Sequence, residues 1–159
     1  MKYSTFFKIS SLITIVIALI IICDFSLPGK EYTSQINTIK KDKQQYFNAA
    51  GNHHYSYTVK TDQHQFLISK EVAKTAQIGR DISYKISLLF NQVNTYSLTG
   101  SNTSNIYSLR LMSGLIAPLL LICSIAISYG FKKNLNLFIS VQQIILIVNV
   151  ILLIITGVN

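Results

Sequence analysis

The residues best suited to bind a metal ion lie in the middle of the chain. His53, His54 and His64, with Asp62 nearby, combine imidazole and carboxylate groups, which suit Zn, Cu or Ni. A turn near Asp62 would bring these four residues together across a hairpin. Their spacing matches no zinc-site pattern, so we expect three exposed histidines around a turn and predict neither a metal site nor a cofactor.

No catalytic constellation stands out in the sequence. It contains no Walker loop, no G-x-S-x-G, no H-E-x-x-H, no C-x-x-C and no cluster of acidic residues. Both cysteines, Cys23 and Cys123, lie inside apolar blocks, where a thiol behaves as a small hydrophobic group. We therefore nominate no catalytic residue and favour a protein that is not an enzyme, while the many Ser, Tyr and His residues keep a membrane enzyme open as a third hypothesis.

Two charged residues mark the ends of apolar blocks. Asp24 is the only carboxylate within such a block, and Arg110 begins the next block along the chain. Ionisable residues at membrane depth are candidates for proton or ion transfer. Because both are close to a block end, we predict instead an interfacial ion pair between Asp24 and Arg110.

A polar stripe runs along the last apolar block. Its members recur every seven residues and share one side of a helix: Gln142, Asn149 and Thr156. The preceding block has small residues that permit close helix approach: Ser113, Ala117 and Ser124. The stripe either holds the helices of this chain together or faces another membrane subunit, and the sequence leaves both interpretations open.

The composition indicates that most of these residues are held by membrane-spanning helices. Half of the 159 residues are hydrophobic, only 13% are charged, and the mean hydropathy is +0.40. The apolar residues form three blocks, 9–27, 109–129 and 135–158, and the first covers about 28 Å as a helix, close to the thickness of a bilayer core. We predict an α-helical membrane protein with three transmembrane helices.

The lysines predict how the helices are oriented. Lys2 and Lys8 precede the first block, and Lys132 and Lys133 lie between the last two, so the positive-inside rule makes 1–8 and the hairpin 130–134 cytoplasmic. The first block lacks a small-x-small cleavage site, which indicates a retained anchor. We expect a multi-pass protein of a bacterial inner or plasma membrane, with its C-terminus outside.

Residues 28–108 then form an extracytoplasmic domain between helices 1 and 2. Alternation over 54–60 and 64–69 around a turn at 61–63 predicts a β-hairpin, and 32–39, 82–88 and 90–98 are further strand candidates. Ser69 is suited to cap a short helix over 70–77. We predict a small antiparallel β-rich (α+β) domain, either a sheet or a partly open barrel.

The domain is basic, with nine basic and five acidic residues. The compact run Lys40-Lys41-Asp42-Lys43 either touches anionic headgroups or an acidic partner, or forms a solvated face, which we favour. Since topology accounts for much of the remaining basic excess, we expect no nucleic-acid partner.

The most economical functional hypothesis is an accessory or scaffold subunit of a larger membrane complex. Its partners would be the lipid bilayer and other membrane protein subunits, contacted through the β-domain and the polar stripe of the third helix. The alternative is a small transport or ligand-sensing component, in which the β-domain binds a solute and Asp24 with Arg110 relays the event.

Overall fold

The computed structural model describes residues 5–45, 53–101, 103–131 and 135–158. These residues fall into two compact units. A helical unit lies within Met1–Leu27 and Leu111–Thr156, and a β-unit lies within Pro28–Arg110 and Gly157–Asn159.

Three helices of the described chain are long and apolar enough to cross a membrane, as predicted. The first is α1 (Thr5–Ser26), and the last is α5 (Leu135–Ile155). The middle helix is composite: α3 (Ser108–Leu111) continues through a π-helical turn, Met112–Ile116, into α4 (Ala117–Phe131). Their length and composition suit a bilayer.

The helices pack along narrow stripes that recur with spacings of three and four residues. The buried positions are Ser11, Thr14, Ala18 and Ile21 on α1; Gly114, Pro118, Leu121, Ile125 and Ser128 on the middle helix; and Ile139, Gln142, Leu146, Asn149 and Leu153 on α5. This seven-residue period is that of a coiled-coil seam. Large aliphatic side chains cover the opposite faces, as lipid contact requires.

The β-unit is built on a five-stranded antiparallel half-barrel sheet, in agreement with the predicted class. Its strands are β1 (Lys30–Gln45), β2 (His53–Thr61), β3 (Gln65–Ile68), β4 (Asp81–Ile86) and β5 (Val93–Leu98), in the order β3-β2-β1-β4-β5. A short helix, α2 (Lys70–Thr75), follows β3, and the Ser69 side chain accepts from the Val72 N–H at its start.

Strand β1 joins two halves of the sheet. Its first part pairs with β4 from Lys30 to Gln35, and its second part pairs with β2 from Ile36 to Gln45. The register shifts between Ile36 and Thr38, where the strand changes partners. A strand of sixteen residues was not expected, because polar residues dominate it and hide its alternation.

The core of the β-unit comes from alternate positions on its strands. Ile82, Tyr84 and Ile86 on β4 are buried, as are Tyr96 and Leu98 on β5. Strand β5 begins three residues later than predicted because a turn precedes it. Asn91 in that turn has a φ of 49°, a conformation that asparagine tolerates better than most residues.

Candidate functional sites

The β1–β2 hairpin extends beyond the other strands. Strand β3 reaches β2 only at 57–60, and β4 reaches β1 only at 30–35. Residues 41–45 and 53–56 therefore pair only with each other among the strands of the described chain. We call these two segments the basic ribbon.

One face of the basic ribbon combines positive charge with an aromatic ring. Lys43 lies directly opposite Tyr55, and Lys41 is two residues away on the same face. The Lys41 Nζ lies 4.1 Å from the centre of the Tyr55 ring, within cation–π range. Asp42 pairs with Ser56, so its side chain projects from the other face of the ribbon.

The structure separates the histidines that were considered for a metal site. His64 follows the turn between β2 and β3, whereas His53 and His54 begin β2 at its other end. Seven residues from His54 to Thr61 span about 23 Å in a strand. The Asp62 Oδ1 accepts from the Asn37 Nδ2 at 2.6 Å. Among the described residues no group of three potential metal ligands forms. The turn between β2 and β3 follows Thr61, at the end of β2 opposite to His53 and His54.

His64 instead belongs to an aromatic cluster that the sequence did not indicate. Its Nδ1 lies 2.9 Å from the Oη of the buried Tyr84, and the Tyr32 ring stacks on Tyr84 with centroids 5.7 Å apart. Burial lowers the pKa of His64 from its ordinary value. β1 lies between β2 and β4 in the sheet, and this order brings the three residues together. Their proximity could not be predicted without the strand order.

A cavity of about 260 Å³ opens beside this cluster within the β-unit. Lys30, Tyr32 and His64 form part of its wall, and Ser87 and Leu88 lie next to them. These residues come from three strands or their ends. Sequence reasoning missed the cavity because no local motif marks it.

The predicted ion pair between Asp24 and Arg110 remains a prediction. Arg110 is buried within the β-unit, where its Nε donates to the Asn94 Oδ1 at 2.7 Å. Asp24 is buried within the helical unit. Each residue thus occupies a position where a charge needs polar neighbours.

The polar stripe makes hydrogen bonds inside the helical unit. The Gln142 Nε2 donates to the Ser124 Oγ at 2.8 Å and lies 3.4 Å from the Ser128 Oγ. Gln142 is only 3% exposed. Thr156 donates to the Leu152 carbonyl of its own helix at 2.7 Å.

The second amide of the stripe bonds to the π-helical turn. There the Ala117 N–H donates to the Met112 carbonyl, five residues back. In the same register residue 118 would donate to Ser113, but it is proline and has no N–H. The Asn149 Nδ2 donates to the Ser113 carbonyl at 3.0 Å. Ala117 is half-buried where this turn ends.

These bonds favour the first interpretation of the stripe. Gln142 and Asn149 are both buried and both bond to the middle helix. Neither amide is therefore available on the outer surface of the helical unit.

Comparison with known proteins does not assign the chain to a family. No protein-family model, curated protein or solved structure matches the chain. The basic ribbon and the cavity beside His64 are the two surfaces that combine charged groups with aromatic or aliphatic ones.

Proposed function

We propose that the protein is a non-enzymatic accessory or scaffold subunit of a larger membrane complex, and that it contacts its partner through the basic ribbon. The β-unit would lie outside the membrane, with the three apolar helices as its anchor. Lys2, Lys8, Lys132 and Lys133 support this orientation through the positive-inside rule.

The observation that carries the proposal is that residues 41–45 and 53–56 of the basic ribbon pair only with each other among the described strands. A two-stranded ribbon by itself is marginally stable in water, and the edge of a sheet is a template on which another chain can pair. A partner can add a strand to such an edge, with side chains supplying specificity. Lys41, Lys43 and Tyr55 would face an acidic surface of that partner.

The helical unit supports the proposal as an anchor. Its polar side chains Gln142 and Asn149 bond within the chain, so the partner-facing role first considered for the stripe is not retained. Three crossings of a membrane would put residues 28–107 and the C-terminal residues on the same side. The hydrogen bond from the Val158 N–H to the Asn91 carbonyl, 2.8 Å, agrees with this arrangement.

A charge-reversal experiment tests the proposal. The variant Lys41→Glu/Lys43→Glu is compared with Lys70→Glu/Lys74→Glu, which makes the same charge change on exposed lysines of α2. Native membranes are solubilised in a mild detergent, and the size and composition of the complex are measured. We expect the ribbon variant to lose its partner and the α2 variant to keep it.

Two outcomes would contradict the proposal. One is an unchanged complex in the ribbon variant, and the other is a wild-type protein that migrates alone. Circular dichroism of both variants checks that the loss does not come from unfolding.

The buried Arg110 supports a second candidate, a ligand-sensing component. Its hydrogen bond to Asn94 connects β5 with the first residues of the middle helix. A ligand that moved β5 would thereby act on this helix. Ion-flux and ligand-binding assays on reconstituted protein test this candidate, and silence in both assays would count against it.

A further inference from the structure

The cavity of the β-unit combines polar and apolar walls. Lys30, His64 and Ser87 contribute polar groups, whereas Ile86 and Leu88 contribute aliphatic surface. The Ser87 Oγ accepts from the Gln92 N–H at 3.1 Å, which leaves the hydroxyl proton available to a ligand. The volume of about 260 Å³ suits a small polar group rather than a large cofactor.

The cavity wall is positively charged. Lys30 is its fixed charge, and none of the described residues that line it is an Asp or a Glu. Glu31 is the nearest acid in sequence, but neighbouring residues of a strand point to opposite faces. Its Oε2 lies 3.6 Å from the Lys85 Nζ on β4, so it is paired away from Lys30.

The cavity lies close in sequence to the apolar helices. Lys30 follows the last residue of α1 by four positions, and Val158 follows the last residue of α5 by three. Two wall residues therefore lie within a few residues of segments that are long and apolar enough to cross a membrane.

Two exposed leucines flank the same site. Leu88 and Leu89 form the start of the β4–β5 turn and are 59% and 64% exposed. Large exposed aliphatic side chains beside a cationic cavity suit a ligand that is anionic at one end and apolar at the other.

We propose that this cavity binds the headgroup of an anionic phospholipid. Lys30 pairs with the phosphate, the Ser87 hydroxyl donates to it, and Leu88 contacts the first methylenes of the acyl chains. A zwitterionic headgroup is disfavoured, since no Asp or Glu among the described wall residues would pair with its ammonium group. This inference concerns lipid recognition and is independent of the partner proposed for the basic ribbon.

Lipid binding to the full chain tests the inference. Protein in detergent is titrated with dioleoylphosphatidylglycerol or dioleoylphosphatidylcholine, and bound lipid is counted by native mass spectrometry. Lys30→Gln removes the cavity charge, and Lys85→Gln removes the same charge from the neighbouring strand. A lysine near an anionic headgroup contributes about 1 kcal/mol, which is about fivefold in affinity.

We expect the wild type to prefer phosphatidylglycerol, Lys30→Gln to weaken that binding about fivefold, and Lys30→Arg to restore it. Lys85→Gln should change it by less than about twofold. Equal binding of the two lipids, or equal losses in Lys30→Gln and Lys85→Gln, would overturn the inference.

A second comparison separates a lipid from a free anion. Leu88→Gln/Leu89→Gln should weaken the binding of phosphatidylglycerol but leave the weak binding of glycerol phosphate unchanged. If inorganic phosphate displaces the lipid at equal concentration, the site recognises a free anion and the assignment to a phospholipid is wrong.

Discussion

The hydrogen bond between Asn149 and the π-helical turn gives the sharpest energetic prediction. Asn149→Leu removes the donor that reaches the Ser113 carbonyl at 3.0 Å, while keeping a side chain of similar size. Both residues are buried, so water does not readily replace the lost donor. Interhelical hydrogen bonds in membranes contribute about 0.6–2 kcal/mol. We expect Asn149→Leu to lower the free energy of unfolding by about 1–2 kcal/mol, or roughly 5- to 30-fold in the equilibrium constant.

A second substitution tests the proposed cause of this loss. Pro118→Ala restores a backbone N–H at the position that would donate to Ser113 in the register of the turn. In that background Asn149→Leu should cost less than half as much, because the carbonyl has an alternative donor. A double-mutant cycle measures this coupling directly.

Unfolding in mixed detergent micelles provides the assay. Increasing amounts of a denaturing detergent are added, and the loss of helical circular dichroism is followed. Gln143→Leu is the matched control, since Gln143 is a half-buried amide on the same helix. If Asn149→Leu and Gln143→Leu lower the free energy of unfolding equally, the proposed hydrogen bond does not stabilise the helices. If Asn149→Leu lowers it by the same amount in the presence and in the absence of Pro118→Ala, the missing N–H of Pro118 is not the cause.

Two further predictions concern the β-unit. A Cβ at Gly29 would lie 1.9 Å from the Ile86 carbonyl oxygen. Gly29→Ala should therefore shift the start of β1 and destabilise the unit by several kcal/mol, more than a typical point mutation does. A Cβ at Gly79 meets no atom within 4 Å, but the residue has a φ of +85°, so Gly79→Ala should cost only about 1–2 kcal/mol. Thermal unfolding compares the two, and equal midpoints would contradict the close contact. Burial lowers the pKa of His64 below 6.5, its value in the unfolded chain, so the folded state favours the neutral imidazole. The stability that this preference contributes is fully present above pH 6.5 and is lost as the pH falls towards the lower pKa of the folded state, because the unfolded chain binds the proton first. His64→Gln should flatten the dependence of the unfolding midpoint on pH below 6.5, and an unchanged slope would count against this assignment.

The sequence predicted the helices well because their signal is local. Length and hydropathy alone indicate a membrane-crossing segment, and the three blocks correspond to the three apolar helices. The seven-residue stripe of α5 was visible for the same reason, although its hydrogen-bond partners were not. Pro118 was visible too, but its consequence depends on Asn149, which lies on another helix.

The sheet was predictable only where one face is buried. Phe66 and Ile68 on β3 alternate with more exposed neighbours and were placed correctly on one face. Beyond Lys40 no third strand of the described chain pairs with the β1–β2 hairpin, so less selects an apolar alternation there. The length of β1 was therefore underestimated.

The candidate sites depended most on tertiary structure. His53 and His54 begin β2 whereas His64 follows its end, because strand register rather than sequence distance decides which residues are opposite each other. The cavity at Lys30 combines residues from distant parts of the chain, including Val158. No sequence pattern gives such a combination in advance.

Cysteine labelling of the full chain determines on which side of the membrane the β-unit lies. Cys23 and Cys123 are replaced by alanine, and single cysteines are introduced at Lys43 in the basic ribbon, which is exposed, and at Lys133 between the last two helices. Intact cells are treated with a membrane-impermeant maleimide. We predict that Lys43→Cys is labelled in intact cells and that Lys133→Cys is labelled only after permeabilisation. Labelling of Lys133→Cys in intact cells, with Lys43→Cys protected, would contradict it.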